Sequence, residues 1–79
     1  IITTAKKGLN FFERIEGYKY FSIVPIYENT VMTIKNSKYE VDNLVLTLNR
    51  PNATSNEFSS EKAVKLQVSE NVLVIYSKD

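Results

Sequence analysis

Residues 41–48, VDNLVLTL, constrain the fold of this chain more than any other stretch. Leu44, Leu46 and Leu48 share one parity and Val45 lies on the other, with only Thr47 softening the back. As a strand the segment shows a continuous apolar face to a core, which predicts a central strand. Asp42 and Asn43 have poor strand propensity, and they fall where the apolar parity switches from Tyr39 and Val41 to the even-numbered leucines. A bend or bulge at that pair explains both facts.

On the N-terminal side, Ala5, Leu9, Phe12 and Ile15 recur at three- and four-residue spacing after a capping Thr3 or Thr4, which predicts a helix over about residues 3–16, closed by Gly17. Residues 18–27 are aromatic and β-branched, with Pro25 marking an edge or bulge, and form the first predicted strand. Glu28-Asn29 supplies a turn into a second strand over 30–35. Asn36-Ser37 either closes a tight hairpin, pairing Ile34 with Tyr39 and Met32 with Val41, or bends a strand that runs on; a third strand spans 39–48. Residues 49–61 are polar, carry Pro51 and a lone Phe58, and are predicted to be a long loop. Within it Asn52-Ala53-Thr54 matches a glycosylation triplet, read as loop chemistry. Residues 62–68 alternate, with Val64, Leu66 and Val68 inward, Ser69-Glu70-Asn71 makes a tight turn with Asn71 suited to a left-handed conformation, and 72–77 is a last strand apolar on both faces.

The totals narrow the function classes. Seventy-nine residues make one domain, over 1–79, and such a domain buries only roughly 60–65% of its unfolded surface, so packing against copies of itself is an obvious source of stability. With no Cys or His there is no disulfide, no thiol nucleophile and no neutral-pH imidazole. The carboxylates show no paired spacing, and the only glycines are Gly8 and Gly17, too few for a phosphate cradle. No enzyme activity, cofactor or metal is expected. Ten basic against nine acidic side chains leave a net charge of +1, so any polyanion site must be local. No apolar run approaches the roughly 18 residues of a membrane span. The chain opens Ile1-Ile2 without Met, as a fragment, a processed form or the ordered part of a longer chain does.

A helix, about five short strands, a long loop between the third and fourth and a tight turn between the last two resemble the Sm and Sm-like family. Two segments carry the resemblance: Tyr39-Glu40-Val41-Asp42-Asn43-Leu44-Val45-Leu46, which keeps an Asn followed by apolar alternation, and Val68-Ser69-Glu70-Asn71-Val72-Leu73-Val74-Ile75, which keeps an Asn-Val pair. The family's stacking aromatic, its Met and its Arg-Gly pair are replaced here by Val41, Asp42 and Val68-Ser69. The resemblance implies a mostly β fold, an N-terminal α-helix followed by a small, strongly bent, five-stranded antiparallel barrel. It further implies an intracellular, non-catalytic subunit, nuclear or cytoplasmic, of a homo- or hetero-oligomeric ring that binds single-stranded, uridine-rich RNA. The RNA contacts would be Asn43, Tyr39, Asp42, Ser69 and Asn71. The subunit interface would use Val64, Leu66, Val68, Val72 and Val74 on the two terminal strands. Asn43 can equally be a turn residue satisfying its own backbone, and a small β module that assembles through edge strands without RNA is the alternative.

Overall fold

The computed structural model describes residues 1–49, 54–59 and 62–78. Among them are eight strands and no helix: β1 (Ile2–Ala5), β2 (Gly8–Phe12), β3 (Tyr20–Pro25), β4 (Thr30–Lys35), β5 (Val41–Leu46), β6 (Thr54–Glu57), β7 (Val64–Val68) and β8 (Val72–Ser77). They form two four-stranded sheets, ordered β1-β8-β3-β6 and β2-β7-β4-β5, with every pairing antiparallel. No pairing joins one sheet to the other among the described residues. The fold is therefore an open pair of sheets, not the expected helix and closed five-stranded barrel.

The core lies between the sheets and follows from period-two patterning. Phe21, Ile23, Val72, Val74 and Tyr76 point inward from the first sheet, and Met32, Ile34, Leu46, Val64, Leu66 and Val68 from the second. Burying each of these side chains is worth about 1.5–3 kcal/mol. At one end Phe12, Phe21, Phe58 and Tyr76 meet with ring centroids 4.7–6.0 Å apart, mostly edge to face, geometry that adds to simple area burial.

Four expectations are corrected. The helix over 3–16 is two strands, because Gly8 adopts φ +110°, which no right-handed helix tolerates. Ala5 and Phe12 still face the core, but from different sheets, while Leu9 and Phe11 point outward. The predicted central strand, β5, is an edge paired only with β4; of its leucines only Leu46 is buried. The central places belong to β4 and β7 in one sheet and β3 and β8 in the other, whose alternation is cleaner. The segment 69–71 does not close a hairpin: β7 and β8 lie in different sheets, and Asn71 is not left-handed but accepts the Lys7 backbone N–H through Oδ1 at 2.8 Å. Finally, Thr54–Glu57, read as loop, is an edge strand on β3. The triplet at Asn52 and Ala53 falls outside the described residues.

The bulge at Asp42-Asn43 is present. Met32 pairs with Leu44 but Ile34 with Val41, so two residues of β5 oppose Thr33 alone, and Asn43 adopts φ +49°. β4 and β5 pair as a hairpin, as the first Asn36-Ser37 alternative expects, but around residues 36–40 and in another register, with Ile34 opposite Val41 and Met32 opposite Leu44 instead of Tyr39 and Val41.

Candidate functional site

The chemically richest surface lies where β6 meets β3 and the 36–40 loop. In β3 and β6, Tyr20 pairs with Glu57 and Phe21 with Asn56. Phe21 and Asn56 point inward, so Tyr20 and Glu57 share the outer face. Tyr39, on the 36–40 loop, stands beside them, and together with Lys38, Ser55 and Asn56 these residues line an open hollow of about 280 Å³. That is just below the roughly 300–1,000 Å³ typical of ligand sites.

Asn56 holds the hollow in shape. Its side chain is 2% exposed. Its Oδ1 accepts the backbone N–H of Tyr39 at 3.1 Å and that of Glu57 at 2.9 Å, and its Nδ2 donates to the Tyr39 carbonyl at 2.8 Å. A single buried amide thus satisfies both backbone groups of Tyr39, as a neighbouring strand would. The Lys38 N–H donates to the Glu57 carbonyl at 2.9 Å, and the Phe58 N–H to the Lys19 carbonyl at 3.1 Å. The 36–40 loop and β6 are thereby pinned together.

Charge concentrates on Glu57. Lys19 Nζ lies 3.5 Å from its Oε1 and Lys38 Nζ 3.1 Å from its Oε2. The carboxylate is the less exposed partner in both pairs. Its hydrogen bond from Lys38 holds the Glu57 carboxyl below the ordinary carboxylate value, and the same bond holds Lys38 above the ordinary ammonium value. Each ammonium also sits over a tyrosine of the hollow, Lys19 over Tyr20 and Lys38 over Tyr39, both 5.5 Å from the ring centroid. Aromatic faces beside a carboxylate form a receptor for a flat cation. The chain has no Cys or His, and among the described residues no cluster of three or more acidic side chains could hold a metal ion.

Residues 10–73 match the profile of the family described as "Thiamin pyrophosphokinase, vitamin B1 binding domain". The chain belongs to this family. Among solved structures, thiamin pyrophosphokinase from Geobacillus thermodenitrificans superposes with a TM-score of 0.85 at 25% identity, covering 99% of this chain and 37% of that one. Thiamine pyrophosphokinase from Bacillus subtilis gives 0.83, also at 25% identity, over 99% and 37%. Thiamin pyrophosphokinase from Candida albicans, at 17% identity, shares the fold, with a TM-score of 0.81 over 99% and 30%. The chain thus spans little more than a third of the bacterial enzymes it resembles. No curated protein sequence matches it.

Membership of the vitamin B1 binding domain family overturns the Sm-like resemblance, and with it the RNA ligand, the ring of Sm-like subunits and the RNA-free edge-strand module. Family members are enzymes by name, so the chain is a domain from an enzyme family, not from a ribonucleoprotein. Of the residues expected to meet RNA, the structure brings Asn43 and Ser69 together and sets Tyr39 in a different hollow. Asn43 and Ser69 line a second, mainly polar hollow of about 170 Å³ with Val31, Thr33, Gln67 and Val68. There Ser69 Oγ accepts the Val31 N–H at 2.8 Å, and Thr33 Oγ1 accepts the Asn43 N–H at 3.0 Å. Asp42 pairs with Lys35 at 2.9 Å, and Asn71 is engaged by Lys7. Tyr39 alone lines the hollow at β6. Val64, Leu66, Val68, Val72 and Val74, expected at a subunit interface, are core side chains, 0–3% exposed, on strands paired on both sides within the chain.

Lys38, Ser55, Asn56 and Glu57 are not singled out by the sequence, whereas Tyr18, Tyr20 and Phe21 beside Lys19 form an aromatic and basic strip suited to nucleic acid that, as core strand, needs no function. Ser55, Asn56 and Glu57 sit in a polar run without apolar alternation. The available signal is that Asn56 and Phe58 share a parity, and both are buried.

Proposed function

We propose that residues 1–79 form one domain that holds thiamin for a thiamin pyrophosphokinase, with the vitamin seated between Tyr20, Tyr39 and Glu57. The family match over residues 10–73 carries the proposal, and the chemistry of the hollow supports it. Thiamin has a permanently cationic thiazolium ring, an aminopyrimidine and a hydroxyethyl arm. The cation suits the two tyrosine faces and the Glu57 carboxylate, and the polar pyrimidine edge suits the Ser55 hydroxyl. The domain's share of the work is to grip and orient the acceptor. Because the chain spans 37% of the bacterial enzymes, the groups that hold and activate the diphosphate donor are assigned to the remainder of the protein. An intracellular setting, where such donors are kept, accords with that role.

Calorimetric titration of thiamin into the intact protein tests this. Thiamin binds with a defined stoichiometry, and Glu57→Gln weakens it about tenfold, the scale of one charge-assisted contact. Tyr39→Ala weakens it about threefold to tenfold, the scale of a cation–π contact. Absence of thiamin binding, or binding indifferent to both substitutions, contradicts the assignment.

A further inference from the structure

The two tyrosines of the hollow reach it from different sheets. Tyr20 stands on β3 in the first sheet, whereas Tyr39 is carried by the 36–40 loop, which joins β4 to β5 in the second. No strand pairing within one sheet sets the gap between their rings, so that gap depends on the direction in which the chain leaves β4. Asn36 sets that direction. Its φ of +68° lies in the left-handed region, which asparagine tolerates better than most residues. Its backbone N–H donates to Glu40 Oε2 at 2.7 Å, closing the loop on itself, and its Nδ2 donates to the Ala63 carbonyl at 3.1 Å, immediately before β7. The hydroxyl of the buried Ser37 donates to the Tyr39 carbonyl at 3.3 Å. On the far side, the Lys38 N–H reaches the Glu57 carbonyl at 2.9 Å and Asn56 holds Tyr39. The loop is thus strapped toward both sheets, at Ala63 on one side and at β6 on the other, with Tyr39 at the second attachment.

We infer that Asn36 and Glu40 are positioning residues for thiamin, which hold the Tyr39 ring at the spacing from Tyr20 that a flat cation needs. The assignment rests on the thiamin-binding function proposed above and adds to it the origin of the second aromatic wall. Neither residue is among those that line the hollow, so both act through Tyr39. A wall held in place before the ligand arrives loses little ordering entropy on binding. With the straps cut, the ring samples other positions, and apparent affinity falls in proportion to the fraction of time it is in place. Both side chains are exposed, so their removal acts on the loop and leaves the core packing intact. Asn56 fixes the Tyr39 backbone from β6; Asn36 and Glu40 fix the loop that carries it from the end of β4.

The test is calorimetric titration of thiamin into the intact wild-type protein and its Asn36→Gly, Glu40→Ala, Glu40→Gln, Tyr39→Ala and Asn36→Gly/Tyr39→Ala variants. Glycine keeps the left-handed backbone and removes only the amide, and glutamine keeps an acceptor for the Asn36 N–H. Asn36→Gly and Glu40→Ala each weaken thiamin about threefold, as when the ring is in place about a third of the time, while Glu40→Gln retains wild-type affinity. In the double variant the Asn36 effect vanishes, because the ring through which it acts is gone. A residue that only supported the fold would weaken binding by the same factor with or without that ring. Equal weakening in both backgrounds, or no weakening by Asn36→Gly, overturns the positioning role and leaves the thiamin site to be judged on Glu57→Gln and Tyr39→Ala. If the wild-type protein binds no thiamin, the site and its positioning residues fall together.

Discussion

At the scale of single residues, the account turns on Asn56. A polar residue at 2% exposure is tolerated only when its donors and acceptors are met, and here they are met by the N–H and carbonyl of Tyr39 and by the N–H of Glu57. Asn56→Ala removes the acceptor from the backbone N–H groups of Tyr39 and Glu57, while the Tyr39 carbonyl keeps the Ser37 hydroxyl at 3.3 Å. The expected cost is about 2–3 kcal/mol of stability, read as a lower denaturant midpoint at unchanged slope, together with weaker thiamin binding because Tyr39 loses its anchor. Ser55→Ala, at an exposed neighbour, changes stability by no more than about 0.5 kcal/mol. Equal effects of the two substitutions would remove Asn56 from the account.

At the scale of elements, legibility tracked how far local pattern and tertiary place agreed. Val64, Leu66 and Val68 alternate with Lys65 and Gln67, and the strand forms where the pattern puts it. The parity switch at Asp42-Asn43 located a real bulge. The leucines of β5 were misleading for a physical reason: apolar alternation marks a face, but cannot say whether a strand has one neighbour or two. β6 was illegible because its inward residue is an amide, with no apolar period to detect. The N-terminal segment misleads because Ala5, Leu9, Phe12 and Ile15 match helical spacing, while the positive φ of Gly8, which decides against a helix, leaves no mark in the spacing. The difference makes a sharp prediction. In a helix Gly8→Ala would stabilise by about 1 kcal/mol. At φ +110°, with nothing within 4 Å of an added Cβ, it destabilises by about 1–3 kcal/mol through the backbone alone. The sign of the shift in unfolding midpoint separates the two structures.

At the scale of the whole molecule, two open sheets close one core and leave the hollow at an outer corner, where β6, β3 and the 36–40 loop meet. The corner is open, and the chain spans 37% of the bacterial enzymes it resembles. In the sequence the candidate site was legible at Tyr39 and, as an aromatic and basic strip that core strand also explains, at Tyr20 and Lys19; the amide and the carboxylate became visible when β6 was seen to pair with β3. The most direct measurement is a crystal structure of the intact protein with thiamin bound. The account predicts the thiazolium ring within about 6 Å of the Tyr20 or Tyr39 ring centroid and beside the Glu57 carboxylate. Thiamin bound at the hollow of Thr33, Asn43 and Ser69, or anywhere away from Glu57, would contradict it.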